Sequence, residues 1–278
     1  MTTTVRHRGL PSQRVNSGFV READMLAPLR DARDEVIAEF TRTKHDIAWA
    51  TLFELSVVPY GIADVVHVAV DQEVVEERRA LGASPITDHH ELTLFMILQH
   101  SRHDGYRARE IAVRAGMSVE GLRRGPLARL TAAGHVERLS GHIYRPTWRY
   151  RTAICALVAI EVKRTDWRRA AQQALRYTTF ADRTYLALES ATAQRALLHP
   201  ELIATTRVGL IQVEPSTLRV KKIKNAPSPG DRLRKFERLR AAEAAFLLID
   251  SGKVSGPILP VFGKTHTTST GVDPRSLS

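Results

Sequence analysis

Apolar residues recur along this chain in two rhythms, and the places where the rhythm changes mark its parts. Over 21–44, Leu26, Leu29, Val36, Ile37 and Phe40 return at helical spacing with charges between them, which predicts a helix. The runs 49–58 and 62–70 are rich in β-branched and aromatic residues. Pro59-Tyr60-Gly61 between them is a turn signal, so the two runs predict a hairpin. The acidic stretch 71–79 and the segment Gly82-Ala83-Ser84-Pro85 then predict a linker over 71–87.

Residues 88–148 have another texture, with short helical patterns, many arginines and histidines, and glycines at the joints. Helices are expected over 91–100, 107–115 and 118–133. Gly116-Met117-Ser118 makes the turn between the last two, with Ser118 as N-cap. Gly134 ends the third helix, and 135–139 with 142–145 predicts a small hairpin turning at Ser140-Gly141. The first texture returns afterwards: strand 154–163, a helix over 166–179 capped by Asp166, and strand 184–188. A helical segment over 192–205, strands 208–213 and 218–223, and a helix over 232–250 complete the pattern. Residues 1–20 are expected to be a flexible basic arm and 261–278 a flexible tail. There is no internal repeat.

The chain has 278 residues and 43% hydrophobic content, enough for a substantial core. Its formal charge of +11 points to a polyanionic partner, nucleic acid before membrane surface. Arginine outnumbers lysine 33 to 8; bidentate phosphate and guanine contacts favour that bias, and so does a GC-rich genome. Cys155, the one cysteine, excludes an internal disulfide and a cysteine-rich zinc site, and lies in an apolar run that predicts burial. No stretch approaches the roughly 18 apolar residues of a membrane span, and the N-terminus lacks a signal-peptide core. A cytoplasmic, nucleoid-associated protein is expected.

The chemistry centres on Gly61-Ile62-Ala63-Asp64 and Ile160-Glu161-Val162-Lys163. Glu161 and Lys163 stand two apart in a strand and so project to one side. An acid ending a buried strand is costly without a partner, and a cation drawing Asp64 and Glu161 together would supply one. Other residues point elsewhere. His89, His90, His100 and His103 lack metal-ligand spacing and read as solvated, and Asp182 reads as a turn or cap. Lys221, Lys222 and Lys224 could extend a phosphate track.

Two family resemblances follow from these residues. The segment 108–122, with Leu127-Ala128-Arg129-Leu130 after it, resembles a winged helix. That implies DNA contact through Arg123, Arg124 and Arg129 on its third helix and Arg145 and Arg149 at its wing. With 71–150 set aside, the order helix, strand, strand, strand, helix, strand resembles the PD-(D/E)XK nuclease superfamily. Asp64 matches its metal-binding aspartate, Glu161 its second acid and Lys163 its catalytic lysine. Gln173 matches a glutamine found on the following helix in several branches. Ala63 stands where the family's proline would be, and the inserted segment accounts for the long separation of Asp64 from Glu161.

The resemblance implies an α/β fold: a restriction-endonuclease-like mixed-sheet core (21–70 and 149–260) with an inserted winged helix-turn-helix domain (88–148). It implies Mg²⁺, with Mn²⁺ as substitute, held by Asp64 and Glu161, with Glu54 or Glu39 as an additional acid. The implied function is metal-dependent cleavage of DNA, duplex in the first instance, and two-strand cutting implies a homodimer. The alternative is a DNA-binding regulator or replication/maintenance factor that keeps the fold as scaffold. A third reading is a winged helix that docks protein.

Overall fold

Residues 18–40, 47–101 and 105–253 are described by the structure, a computed structural model. After a 3₁₀ turn (Glu22–Met25) come α1 (Leu26–Asp31), α2 (Arg33–Ile37) and a second 3₁₀ turn (Ala38–Phe40). The hairpin β1 (Ile47–Val57) and β2 (Gly61–Asp71) leads into α3 (Gln72–Ala80), α4 (His89–Gln99), β3 (Tyr106–Arg107) and α5 (Ala108–Ala115). Next are α6 (Val119–Arg124), α7 (Pro126–Ala132), β4 (Val136–Arg138), β5 (Ile143–Pro146), β6 (Ile154–Lys163) and α8 (Trp167–Tyr177). β7 (Arg183–Glu189), α9 (Ser190–Leu197), α10 (Pro200–Thr206), β8 (Gly209–Val213), β9 (Val220–Lys224) and α11 (Lys235–Asp250) follow.

This is a mixed α/β protein. Its main sheet has the order β1-β2-β6-β7-β8-β9, with β6, β7 and β8 parallel and the other pairings antiparallel. Both faces are covered. Val65, Val158, Ile160, Tyr185 and Ile211 pack with Met25, Leu29 and Val36 of the N-terminal helical turns. On the other face Val66, Val68, Leu157 and Ala159 meet Tyr177, Phe180 and Phe246, while Leu186 and Leu188 meet α8 and α9. No helix among the described residues is long and apolar enough to cross a membrane.

Segment 72–153 leaves the sheet and returns to it on neighbouring strands. Val70 pairs with Ile154, and the Asp71 N–H donates to the Ala153 carbonyl at 2.9 Å. Within it, β3, β5 and β4 form a separate three-stranded sheet beside α4 to α7. Leu92, Phe95, Leu98, Ile111, Leu122, Leu127 and Trp148 form its core. That core is not wholly its own. α11 brings Phe236 and Leu239 against it, and one or two turns later packs Ala241, Ala242, Ala245 and Phe246 on the main sheet.

Four local expectations give way to the structure. The helix expected over 21–44 is broken into short pieces, because the chain turns at Ala32 (φ −89°, ψ 16°) to keep Met25, Leu29, Val36 and Ile37 on the twisted sheet. Its last residues lie outside those described, as do His103, most of the basic arm and the C-terminal tail.

The expected linker over 71–87 contains α3, capped by Asp71, whose carboxylate accepts the Val74 N–H at 3.2 Å. Its exposed charges hide an inner face of Val74, Val75 and Arg78. The third helix of the inserted segment is two helices. Gly125 (φ −106°, ψ −117°) interrupts it, and Pro126, without an N–H, opens the next. A Cβ at Gly125 would lie 2.7 Å from the Gly121 carbonyl oxygen. Finally, Cys155 is exposed. Ala69 faces Ala156 and Val70 faces Ile154, so Cys155 is the extra residue of a β-bulge and turns out of the core.

Arg78 and Glu243 join α3 to α11 by a bidentate ion pair at 2.8 and 2.9 Å, with both side chains at 2% exposure or less. The guanidinium also donates to the carbonyls of Ala83 and Ser84. The carboxylate also accepts the Ile86 N–H at 2.8 Å and the Tyr150 hydroxyl at 2.9 Å.

On β2, His67 is fully buried, with Nδ1 3.0 Å from the Thr51 hydroxyl and Nε2 without a partner among the described residues. Burial, helped by Arg33, pushes its pKa down to about 3. The unfolded chain takes up this proton near pH 6.5, whereas the folded chain refuses it until about pH 3. The associated stability is therefore complete above pH 6.5 and lost as pH falls through that window, by roughly 2 kcal/mol between pH 7 and 5. Urea unfolding at the two pH values should show His67→Val losing that much less than the parent chain. Equal losses in both proteins would remove His67 as the cause.

Candidate metal centre

The β2–β6 ladder positions the acids. Its last pair at this end is Val65 with Ile160, and one step further along the same register sets Asp64 opposite Glu161. Opposed residues of an antiparallel pair share a face, and Lys163, two beyond Glu161, shares it too. Past the ladder's end the Val162 N–H would lack an acceptor in β2. The Asp64 carboxylate takes it, Oδ2 to N at 2.7 Å. Asp64 keeps partial exposure, whereas Glu161 is 2% exposed.

α8 lies over this face and supplies Tyr177. Its hydroxyl is 2.6 Å from Glu161 Oε2 and 2.5 Å from the Ile62 carbonyl oxygen. A phenol has one proton and cannot donate to both acceptors. Burial first, and then the charge of Asp64, push the Glu161 carboxyl up to about 8 against the opposing effects of Tyr177 and Lys163. Donation from the Tyr177 hydroxyl favours the ionised Glu161 carboxylate, against the burial that raises it. Burial also raises Asp64, to about 6, with Val162 and Lys163 opposing and the charges of Glu22 and Glu54 adding to the rise.

Lys163 Nζ sits 2.9 Å from the Glu22 carboxylate, in a partly exposed pair. Burial works against the ammonium, but Glu22, Glu161 and Asp64 outweigh it and hold the pKa above its ordinary value. Glu22 had no signal in the pattern, because it meets Lys163 from a turn 141 residues earlier.

Of the two additional acids considered from the sequence, Glu39 is engaged elsewhere, accepting from Tyr185 at 2.8 Å and Arg183 at 3.4 Å. Glu54 is in the neighbourhood. β1 pairs Phe53 with Val65 and Leu55 with Ala63, so Glu54 falls at the level of Asp64. Its φ of +53° breaks the strand's period of two, and Leu52 and Leu55 both enter the same core cluster. Gln173, one turn before Tyr177, is partly exposed, and no hydrogen bond among the described residues ties it to either carboxylate.

Asp64 and Glu161 offer hard oxygen donors, the set that suits Mg²⁺ or Mn²⁺ with water completing the shell. Their raised pKa values fit such an ion, since two nearby acids in a buried setting lack a positive partner of their own while Lys163 is taken by Glu22. Among the described residues, no three His, Cys, Asp or Glu side chains converge at metal-holding distance.

The five arginines read as DNA contacts are exposed, and three of them are matched by acids. Arg124 pairs with Glu120 at 3.0 Å, Arg145 with Glu137 at 2.6 Å, and Arg129 with Glu91 and Asp88. Arg123 lies 3.5 Å from His142, and Arg149 edges a recess beside Gln99 and Trp148. His89 and His90 form an edge-to-face pair next to Phe236, and His100 bonds the Met96 carbonyl. Asp182 is structural: it accepts from the Leu157 N–H and Arg238, tying the start of β6 to α11. Lys222 reaches the Val36 carbonyl, while Lys221 and Lys224 are exposed. No family profile, curated protein or solved structure matches the chain.

Proposed function

We propose that this protein is a Mg²⁺-dependent DNA endonuclease of the PD-(D/E)XK type, with a winged helix-turn-helix domain inserted between the second and third strands of its core. The observation that carries the reading is the convergence of Asp64 and Glu161 across β2–β6, with Lys163 on the same face. The strand order and the helix following β6 support it. For the inserted domain, support comes from the succession α4, β3, α5, α6 and α7, then the β4–β5 hairpin.

A divalent ion held by Asp64 and Glu161 would activate water and screen the phosphate. The chain's own groups divide the remaining work. Val162 orients the Asp64 carboxylate through its N–H, and Tyr177 fixes one oxygen of Glu161. Lys163, released from Glu22, would neutralise charge that develops on the phosphate. Two-strand cutting would use two such chains.

Metal-dependent cleavage of plasmid DNA, abolished by EDTA, tests the proposal directly. A second measurement uses the acids alone. Metal binding requires both carboxylates ionised, so Mn²⁺ affinity measured by calorimetry should rise from pH 6 to about 8 and then level off. Affinity independent of pH over that range would remove these two acids as the ligands.

One observation favours the alternative, a non-catalytic DNA-binding factor on the same scaffold. Glu161 is closed over by Tyr177, and Lys163 is occupied by Glu22. DNA binding without cleavage under any divalent ion would select that reading.

A further inference from the structure

We infer that the outer face of α8 is a track for the phosphate backbone of DNA. The inference rests on the reading above that the partner is DNA, and it moves the main backbone contact from the inserted segment to the core.

The helix is two-sided. Trp167, Ala170, Ala171, Ala174 and Tyr177 are buried, and the small alanines let α8 lie close on the sheet. Arg168, Arg169, Gln172 and Arg176 are exposed on the other side, and Gln173 is partly so. There is no acid between Trp167 and Tyr177. The carboxylate of the preceding Asp166 is used on the Arg169 N–H, at 3.2 Å.

The charge on this face is uncompensated, and three such arginines share one helix with no acid among them. Among the described residues, none of Arg168, Arg169 and Arg176 forms an ion pair, whereas Arg124, Arg129 and Arg145 of the inserted segment all do. Arg168 is held without being neutralised: its guanidinium lies over the Trp167 ring at 4.7 Å and 3.3 Å from His199 Nε2. The nearby acid, Glu201, is 3.7 Å from His199. Unpaired guanidiniums release counterions on binding a polyanion, while paired ones must first give up a carboxylate.

Geometry joins the track to the carboxylate pair. From Arg168 to Arg176 the helix rises about 12 Å, or roughly three to four steps along one DNA strand. At the Arg176 end, the guanidinium stands beside the β1–β2 turn, 3.8 Å from where a Cβ on Gly61 would be. The next residue, Tyr177, touches Glu161. At the other end a recess of about 310 Å³ opens between Trp167, Arg169, Gln172 and Thr206. The amides of Gln172 and Gln173 add neutral donors of the kind that contact phosphate.

Fluorescence anisotropy with a short DNA duplex in EDTA, across a salt series, tests this without any cleavage. Arg168→Ala with Arg169→Ala, and Arg176→Ala separately, should weaken binding and flatten the plot of log K against log salt by about 1 per arginine. Arg123→Ala with Arg124→Ala should do less. Thermal unfolding should not move, since these side chains are exposed. Unchanged affinity and salt slope in the α8 variants, with losses in the Arg123/Arg124 variant, would overturn the track. If the unaltered protein does not bind the duplex, both the track and the proposed function fail. Binding that depends on the α8 arginines, without cleavage in Mg²⁺, would overturn the nuclease reading and leave the track standing.

Discussion

Lys163→Ala is expected to lower the proposed metal-dependent cleavage by about 10²–10³-fold, the usual effect of removing one charge aimed at the transition state. Folding should change little. The variant breaks only the partly exposed pair with Glu22, and such pairs contribute about 0–1 kcal/mol. Asp64→Asn is the companion test. Asparagine keeps an oxygen to accept the Val162 N–H, so the strand end should hold, but the charge that would bind the proposed ion is gone. With Asp64 neutral, one of the influences raising Glu161 also disappears, and that carboxyl should ionise at lower pH. Plasmid nicking in Mg²⁺ and in Mn²⁺, on variants whose circular dichroism matches the parent, is the measurement. Full activity in a clean Lys163→Ala preparation would remove Lys163 from the mechanism.

Glu243→Gln should cost about 3–5 kcal/mol of stability, the range found when one partner of a buried ion pair is removed. The carboxylate accepts from both Arg78 nitrogens, from the Ile86 N–H and from Tyr150. Glutamine can replace some of those acceptors but not the charge, leaving a guanidinium stranded between Trp148 and Phe246. Replacing both residues with methionine should recover much of the loss, because no charge is then left buried. Urea unfolding of the single and double variants decides the point. A loss below about 1 kcal/mol for the single variant would mean that water reaches the pair.

How much of this was legible beforehand varied with the range of the interaction. β-branched runs marked both central strands, and the spacing of Glu161 and Lys163 placed them on one face, because strand periodicity is local. Gly125-Pro126 is an equally local break signal, masked by the helical run on either side. Arg78 could not be read correctly from its surroundings. Among so many charges it resembles a solvated residue, and only Glu243, 165 residues away, makes its burial possible. The same limit hid Glu22. Tyr177 was within reach, four residues after Gln173 and therefore on the same side of a helix, but nothing local showed that its hydroxyl would meet Glu161. Cys155 was misjudged because a bulge shifts alternation by one residue without leaving a mark in the composition.

The exit and return of the inserted segment on paired strands bears on the order in which this chain folds. β2 and β6 must find each other across roughly 80 intervening residues, and a flexible loop of that length costs about 2 kcal/mol more to close than one of ten. If the segment folds first, its own sheet and core draw 72 and 153 together and the long loop becomes a short one. The central strand pair, and with it the alignment of Asp64 with Glu161, would then form late, on a template that the inserted segment has already assembled. Weakening that segment's core should slow the alignment of Asp64 with Glu161 more than it weakens the main sheet.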